Sequence, residues 1–549
     1  MRLKLISSLE KCFLDEDINA KQAFSSGTML KNEVYHFGLC FDEEEIIWSS
    51  AVYTLKVVSD IAEFVNVRRV EHVGVQMPIY LQKYDDNYLR TKPGIFPDLL
   101  LPLGKFNRVI SANILQTLFI EVDTKGKVPA GNYEITFEFY DTEEKLAASE
   151  TFNLEIIDAL LPEQEIINSQ WFHCDCLQKY YGTEAFDERH WEIIENYIKV
   201  AVKNGQNMIL TPVFTPALDT YVGGERPTTQ LVGVEVKDGK YSFDFSKLSR
   251  WVDLCEKIGI KYFEISHFFT QWGAKHTPKV MATVDGEEKQ IFGWQTDATS
   301  QEYREFLTAF IPELLAFMKS KNGADKRCYF HISDEPNDEH VEQYKACRDM
   351  FDELLKGYVI MDALSHYEFY ERGIVTNPIV ANDAIENFIE KGAENLYVYY
   401  CCAQGEKVSN RFIAMPSART RIMGTQMYKY DIKGFLQWGF NFYYNQFSYD
   451  EINPYLNPCG QLFAPAGDPY SVYPAKDGTA YESLRLCIFN EGLQDLRAMK
   501  LCESLYGKDF VVNLLEEDID PITFSKYPNS AEWLLKTREK INLAIKEKI

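Results

Sequence analysis

Cys328-Tyr-Phe-His-Ile-Ser-Asp-Glu-Pro336 is the stretch on which the fold of this chain turns. Cys328–Ser333 reads as a short strand, and it runs straight into two carboxylates, Asp334 and Glu335, and a proline. The same rhythm recurs on both sides of it. Upstream, Ile166–Asp175, Met208–Phe214 and Tyr262–Phe269 read as strands; downstream, Tyr358–Ala363, Pro378–Ala381, Leu396–Tyr400 and Phe435–Phe440 do. Helical patterns separate them. Asp187 caps a stripe of Trp191, Ile194, Ile198 and Ala201, and Thr299-Ser-Gln-Glu302 is a capping box opening a long helix that Pro312 should kink. Shorter helices are expected over Ala384–Lys391 and, closing the series, Tyr481–Leu501. Two polar insertions, about 216–244 and 273–298, interrupt the repeat. Eight strand-helix units over about 340 residues predict an α/β (β/α)8 TIM-barrel.

The flanks differ. Residues 1–158 hold short β-branched runs, Ala51–Val58, Val70–Leu81 and Leu115–Val122, and a turn-led alternation of Tyr133, Ile135, Phe137 and Phe139 after Pro129-Ala-Gly131. This predicts an N-terminal all-β sandwich, with Leu161-Pro162 near the boundary. The barrel is then expected over 159–505, and 506–549 as a peripheral C-terminal helical extension packed on it. A chain of 549 residues is too long for one compact core, which agrees with several domains.

Composition narrows the partners. The formal net charge is −25, a surface that repels nucleic-acid phosphates and anionic lipids and suits a neutral substrate. No run approaches the ~20 apolar residues of a membrane span, and Glu10 and Lys11 break up what a secretion leader would need. Twelve scattered cysteines and no Asn-x-Ser/Thr sequon fit a cytoplasmic protein with reduced thiols. Cys174-x-Cys176 and Cys401-Cys402 are the close pairs; Cys174, Cys176 and His173 fall short of a four-ligand zinc site, so no metal or other cofactor is expected. The oligomeric state is left open.

A barrel of this kind places its site at the C-terminal strand ends. Those ends carry Trp171 and His173, then His267, Gln271 and Trp272, then Asp334 and Glu335, then Asp362, Tyr399 and Tyr400, and Gln437, Trp438 and Asn441. Flat rings for sugar faces beside amides and carboxylates for hydroxyls describe a carbohydrate cleft. Trp171, His173, His267, Tyr399, Tyr400, Gln437, Trp438 and Asn441 are the candidate substrate contacts, and Asp334 and Glu335 the candidate catalytic pair. Neighbours on an extended strand point to opposite sides, so an adjacent pair suits neither face of a direct two-carboxylate displacement. It suits a scheme in which the substrate's 2-acetamido oxygen attacks the anomeric carbon, one carboxylate polarising the acetamido N–H and the other protonating the leaving oxygen. Apolar surroundings and an ionised Asp334 would raise the pKa of Glu335, as an acid requires.

With the Asp-Glu-Pro stretch at 334–336 go Pro129-Ala-Gly-Asn-Tyr133, Gly467-Asp-Pro469, Ser483-Leu-Arg485 and Glu491-Gly-Leu-Gln-Asp495. In these the chain resembles glycoside hydrolase family 123, the β-N-acetylgalactosaminidases. The resemblance implies a sandwich joined to a (β/α)8 domain and exo-removal of a terminal β-linked N-acetylhexosamine, GalNAc favoured, with retention through an oxazolinium intermediate. It implies Glu335 as general acid/base and Asp334 as the acetamido-orienting group, without cofactor. Three other readings compete: a glycosidase for another sugar using Asp362 or Glu264 as a direct nucleophile, a non-catalytic glycan-binding barrel whose Asp-Glu pair only caps the next helix, and a zinc hydrolase at Cys174, Cys176 and His173.

Overall fold

The structure is a computed structural model describing residues 1–549 except Trp272 and Asn337, and no side chain is described for Asp338. The N-terminal part is two five-stranded sheets. One orders Arg2–Ser7, Val34–Asp42, Gln116–Asp123, Val65–Val75 and Gly94–Pro102; the other orders Ser26–Leu30, Leu146–Ile157, Gly131–Tyr140, Ala51–Val58 and Arg108–Ser111. The period-two pattern explains which faces meet: Ile135, Phe137 and Phe139 alternate inward and are fully buried. Phe37 of one sheet stacks on Phe152 of the other, ring centroids 3.9 Å apart.

Eight parallel strands then close a barrel whose spatial order is the chain order. They are Ile167–Gln170, Met208–Thr211, Tyr262–Ile265, Cys328–Phe330, Val359–Leu364, Asn377–Ala381, Tyr397–Tyr399 and Gly434–Gln437. All eight stretches expected from the sequence supply a strand, but most are shorter than their apolar patterns. The first stops at Gln170, and Cys174 already opens a helix, Cys174–Tyr181. The extra apolar residues are core-facing loops that leave the ladder at the barrel mouth. The long helix opened by the capping box runs Gln301–Ser320, with Pro312 inside it.

The two insertions are not irregular. Gly233–Lys237 and Lys240–Asp244 form one hairpin, Val280–Val284 and Glu287–Phe292 another, and the two join in a four-stranded sheet. Both hairpins turn on Asp-Gly, Asp238-Gly239 and Asp285-Gly286, with positive φ at all four residues, as the tight mirror-image turns of hairpins need.

The closing helix, Leu484–Tyr506, starts where the Ser483 hydroxyl accepts the Leu486 N–H at 3.2 Å. It crosses the helix Met423–Lys429 so closely that a Cβ on Gly424 would overlap the Gly492 carbonyl. Its charges join the parts of the chain. Asp495 pairs with Arg421 and Arg538, Glu491 faces His36 of the first sheet, and Arg485 holds Asp98 at 2.8 Å. The last helix, Ala531–Lys548, packs on this helix and also on the N-terminal sheet, where Asn542 Nδ2 donates to Thr28 Oγ1 at 2.9 Å. The tail therefore touches both parts rather than the barrel alone. Among the described residues no helix is long and apolar enough to cross a membrane.

Candidate active site

Asp334 and Glu335 sit past the end of the fourth strand, outside the ladder. Glu335 has φ of +46°, a left-handed conformation that costs a non-glycine residue about 1 kcal/mol or more. This turn replaces the alternation expected of an extended pair: both carboxylates line one pocket. The following helix opens only at Val341, after a short turn over Asp338–His340, so the pair stands well ahead of it.

Each carboxylate is held by a different strand end. Tyr399, closing the seventh strand, donates its phenol to Glu335 Oε1 at 2.7 Å. Gln271, beyond the third, donates Nε2 to Asp334 Oδ2 at 2.8 Å, while its own Oε1 accepts the Asp219 N–H. Burial first, and then the charge of Glu335, push the Asp334 carboxyl up to about 7. Asp334 is the more deeply buried of the two.

The pocket is also walled by Trp171, His173, Trp438, Phe442 and Leu218. The Trp438 indole N–H donates to Asp468 Oδ2 at 3.0 Å, which fixes the ring plane and gives the Asp of Gly467-Asp-Pro469 a task. His173 donates Nε2–H to the Trp438 carbonyl at 2.9 Å, and burial lowers its pKa to about 4. It is therefore neutral, with Nδ1 left as an acceptor that has no partner among the described residues. Trp171 donates to Glu264 at 2.8 Å.

Four of the expected substrate contacts lie elsewhere. Tyr400 points out of the barrel into the surrounding layer, against Phe435 at 4.9 Å, because neighbours on a strand face opposite ways and Tyr399 takes the inner side. Gln437 is fully buried beneath the pocket, between Arg411 and Asp468. Asn441 clamps the backbone of His173, accepting its N–H at 2.9 Å and donating to its carbonyl at 3.0 Å. His267 lies below the floor, stacked on His331 at 4.3 Å. Trp272 falls outside the described residues. Asp219, in the first insertion, was not singled out by its sequence, yet it lines the pocket with its carboxyl raised by burial to about 6.

Beneath the floor His331 bridges Glu264 at 2.7 Å and Asp362 at 3.3 Å, and Asp362 also accepts the Tyr344 phenol. Burial lowers the His331 pKa, but the hydrogen bonds its ring donates to Asp362 and Glu264, with their charges, together outweigh this and raise it to about 10. Glu264 and Asp362 are completely buried and do not reach the pocket, which removes both from the role of direct nucleophile. His267, His331 and Asp362 are the group of metal-ligating atoms found close together among the described residues. The two imidazoles lie 18° from parallel, so their in-plane lone pairs do not converge, and both His331 nitrogens are engaged. Cys174 and Cys176 are buried, and Cys176 Sγ accepts the Tyr443 N–H at 3.3 Å.

A profile described as glycoside hydrolase 123, catalytic domain, matches residues 171–502. The chain belongs to glycoside hydrolase family 123. Among solved structures, a family 123 glycoside hydrolase from Clostridium perfringens, described in connection with glycolipid glycan hydrolysis, superposes with a TM-score of 0.71. It covers 100% of this chain and 98% of its own, at 16% identity. An endo-β-1,4-mannanase from Thermotoga petrophila covers 62% of this chain and 78% of its own at 12% identity, with a TM-score of only 0.34. No curated protein matches this chain. Family 123 membership makes this a glycosidase-type chain acting on carbohydrate, with a β-rich N-terminal region and an eight-stranded parallel barrel.

Proposed function

We propose that this family 123 protein is an exo-acting retaining hydrolase that removes a terminal β-linked N-acetylhexosamine, GalNAc favoured, by substrate-assisted catalysis. The observation that carries the reading is the adjacent pair Asp334 and Glu335 in one pocket, each anchored by its own donor, Gln271 and Tyr399. In this reading the acetamido carbonyl oxygen attacks the anomeric carbon and forms an oxazolinium ion. Asp334 takes the acetamido N–H as hydrogen-bond donor, and that bond to the charged form draws its carboxyl below about 7 and ionises it. Glu335 protonates the leaving oxygen and then takes a proton from the water that opens the ring. Trp171 and Trp438 give the sugar flat apolar walls, and His173 Nδ1 accepts a hydroxyl proton. No metal or organic cofactor enters these steps.

We read the chain as a sandwich over 1–158, a (β/α)8 catalytic domain over 159–505 and a helical extension over 506–549. Twelve free cysteines support action in the reducing cytoplasm, and the charge of −25 a neutral glycan partner rather than nucleic acid or membrane. The test is hydrolysis of aryl β-GalNAc and aryl β-GlcNAc with a thiazoline inhibitor in parallel. Turnover of one sugar, blocked by thiazoline, supports the reading and names the epimer. Turnover that ignores thiazoline and is trapped by a 2-fluoro glycoside overturns it.

A further inference from the structure

Ten of the twelve cysteines are buried; the two that reach solvent, Cys401 and Cys402, are neighbours in sequence. They follow the seventh strand in a turn, and both line the pocket of Asp334 and Glu335. The two residues are consecutive, neither is fully buried, and both face the same cavity. The turn is held from three sides: Gln404 Oε1 accepts the Cys401 N–H at 2.9 Å and lies 3.3 Å from its sulfur, and Asn410 Nδ2 donates to the Cys401 carbonyl at 2.9 Å. Two adjacent, reachable thiols that line one pocket on a fixed backbone can bond one centre together. Once the first sulfur is attached, the second bond closes intramolecularly, at high effective concentration.

We propose that Cys401 and Cys402 form a dithiol site for a trivalent arsenical in the wall of the carboxylate pocket, and that the adduct excludes the sugar. Two As–S bonds form while both S–H bonds and the As=O bond break. The two protons leave with the oxygen as water, and arsenic stays trivalent. The neighbouring Cys402 thiol first, and then partial burial, raise the Cys401 thiol well above its ordinary pKa, so it stays protonated at neutral pH, the form this condensation consumes, and is a poor target for reagents that need a thiolate. The adduct sits beside Tyr399 and Trp438, in the space the sugar ring needs. Exclusion of sugar rests on the glycosidase reading; formation of the adduct does not.

The test treats the full-length native protein with phenylarsine oxide and follows intact mass, titratable thiols, a mapped digest and glycoside turnover. The expected result is one arsenical per chain on the peptide bearing Cys401 and Cys402, with two thiols lost and turnover falling in step with the adduct. Exchange with 2,3-dimercaptopropanol restores both, and a monothiol does not. Cys402→Ser is expected to lose the stable adduct. Digest mapping of the wild type decides the site even if that variant does not fold. No adduct on the native protein, or one mapped to other cysteines, overturns the proposal. An adduct on this pair with turnover unchanged overturns the exclusion of sugar. An adduct on this pair in a protein that hydrolyses no acetamido sugar upholds the site while sinking the function proposed above.

Discussion

The phenol of Tyr399 donates to Glu335 Oε1 at 2.7 Å, joining the end of the seventh barrel strand to the loop beyond the fourth. Burial holds the Tyr399 hydroxyl far above its ordinary pKa, so it remains a donor throughout the working pH range. A hydrogen bond to a charged group contributes about 1.5–3 kcal/mol, so Tyr399→Phe is expected to lower kcat/KM by roughly 10- to 100-fold. The same variant with unchanged kcat/KM would show the contact to be incidental.

In the proposed mechanism Glu335→Gln removes the proton source for the leaving oxygen. Turnover of substrates with poor leaving groups is expected to fall by about 10²–10⁴-fold, and that of activated aryl glycosides much less, because an acidic phenol departs without help. Equal losses on both classes would exclude the acid role.

Asp334→Asn separates catalysis from stability. The native carboxyl lies near 7 against an ordinary 3.8, so ionising it in the folded state is unfavourable. A raised carboxyl contributes stability below the unfolded pKa and loses it as pH rises through the folded one. The wild type is therefore penalised above pH 7, and the neutral amide is not. Asp334→Asn is expected to lose about 10²–10³-fold in turnover of acetamido sugars, yet to gain roughly 2–4 kcal/mol at pH 8 and little at pH 4. Denaturant titrations at the two pH values decide it; a variant destabilised at pH 8 would mean that the carboxylate is held by more than Gln271.

Gln271→Leu tests the same carboxyl from its donor. The Gln271 amide favours the charged form, so its loss raises the Asp334 pKa further. The acidic limb of the kcat/KM profile is expected near pH 7 in the wild type and at higher pH in the variant. A limb that stays in place would assign it to another group.

The eight-strand rhythm was legible because apolar runs bounded by helical patterns report burial, and the buried walls of a barrel are such runs. The depth of each strand was not legible, since Val213, Phe214, Ile332 and Phe440 are as buried in loops as they would be in a ladder. The inner or outer face of a strand end needs its register: Tyr399 and Tyr400 have equal claims by sequence and opposite placements. Gln437 and Asn441 have the chemistry of sugar ligands but are consumed by Arg411, Asp468 and the His173 backbone. The insertion hairpins carried a readable signal in their Asp-Gly turns, masked by the polarity of exposed strands. Asp219 carried none. It reaches the pocket because the Phe447 N–H donates to its Oδ2 and the Ser448 hydroxyl to its carbonyl oxygen, contacts between segments more than two hundred residues apart.

Asp219 is also the residue that separates two mechanisms. As a third carboxyl in the pocket, raised to about 6, it can accept a sugar hydroxyl or, in a direct displacement, attack the anomeric carbon. A hydroxyl contact made equally in ground and transition states affects KM, whereas a nucleophile affects kcat. In the proposed mechanism the adjacent pair supplies the acid and the acetamido-orienting group, so Asp219→Asn is expected to raise KM by roughly 10-fold, the loss of one such hydrogen bond, with kcat within a few-fold of wild type. A 2-fluoro glycoside is expected to leave Asp219 unlabelled. A collapse in kcat together with a glycosyl adduct on Asp219 in the wild type would transfer the nucleophile from the substrate to the protein.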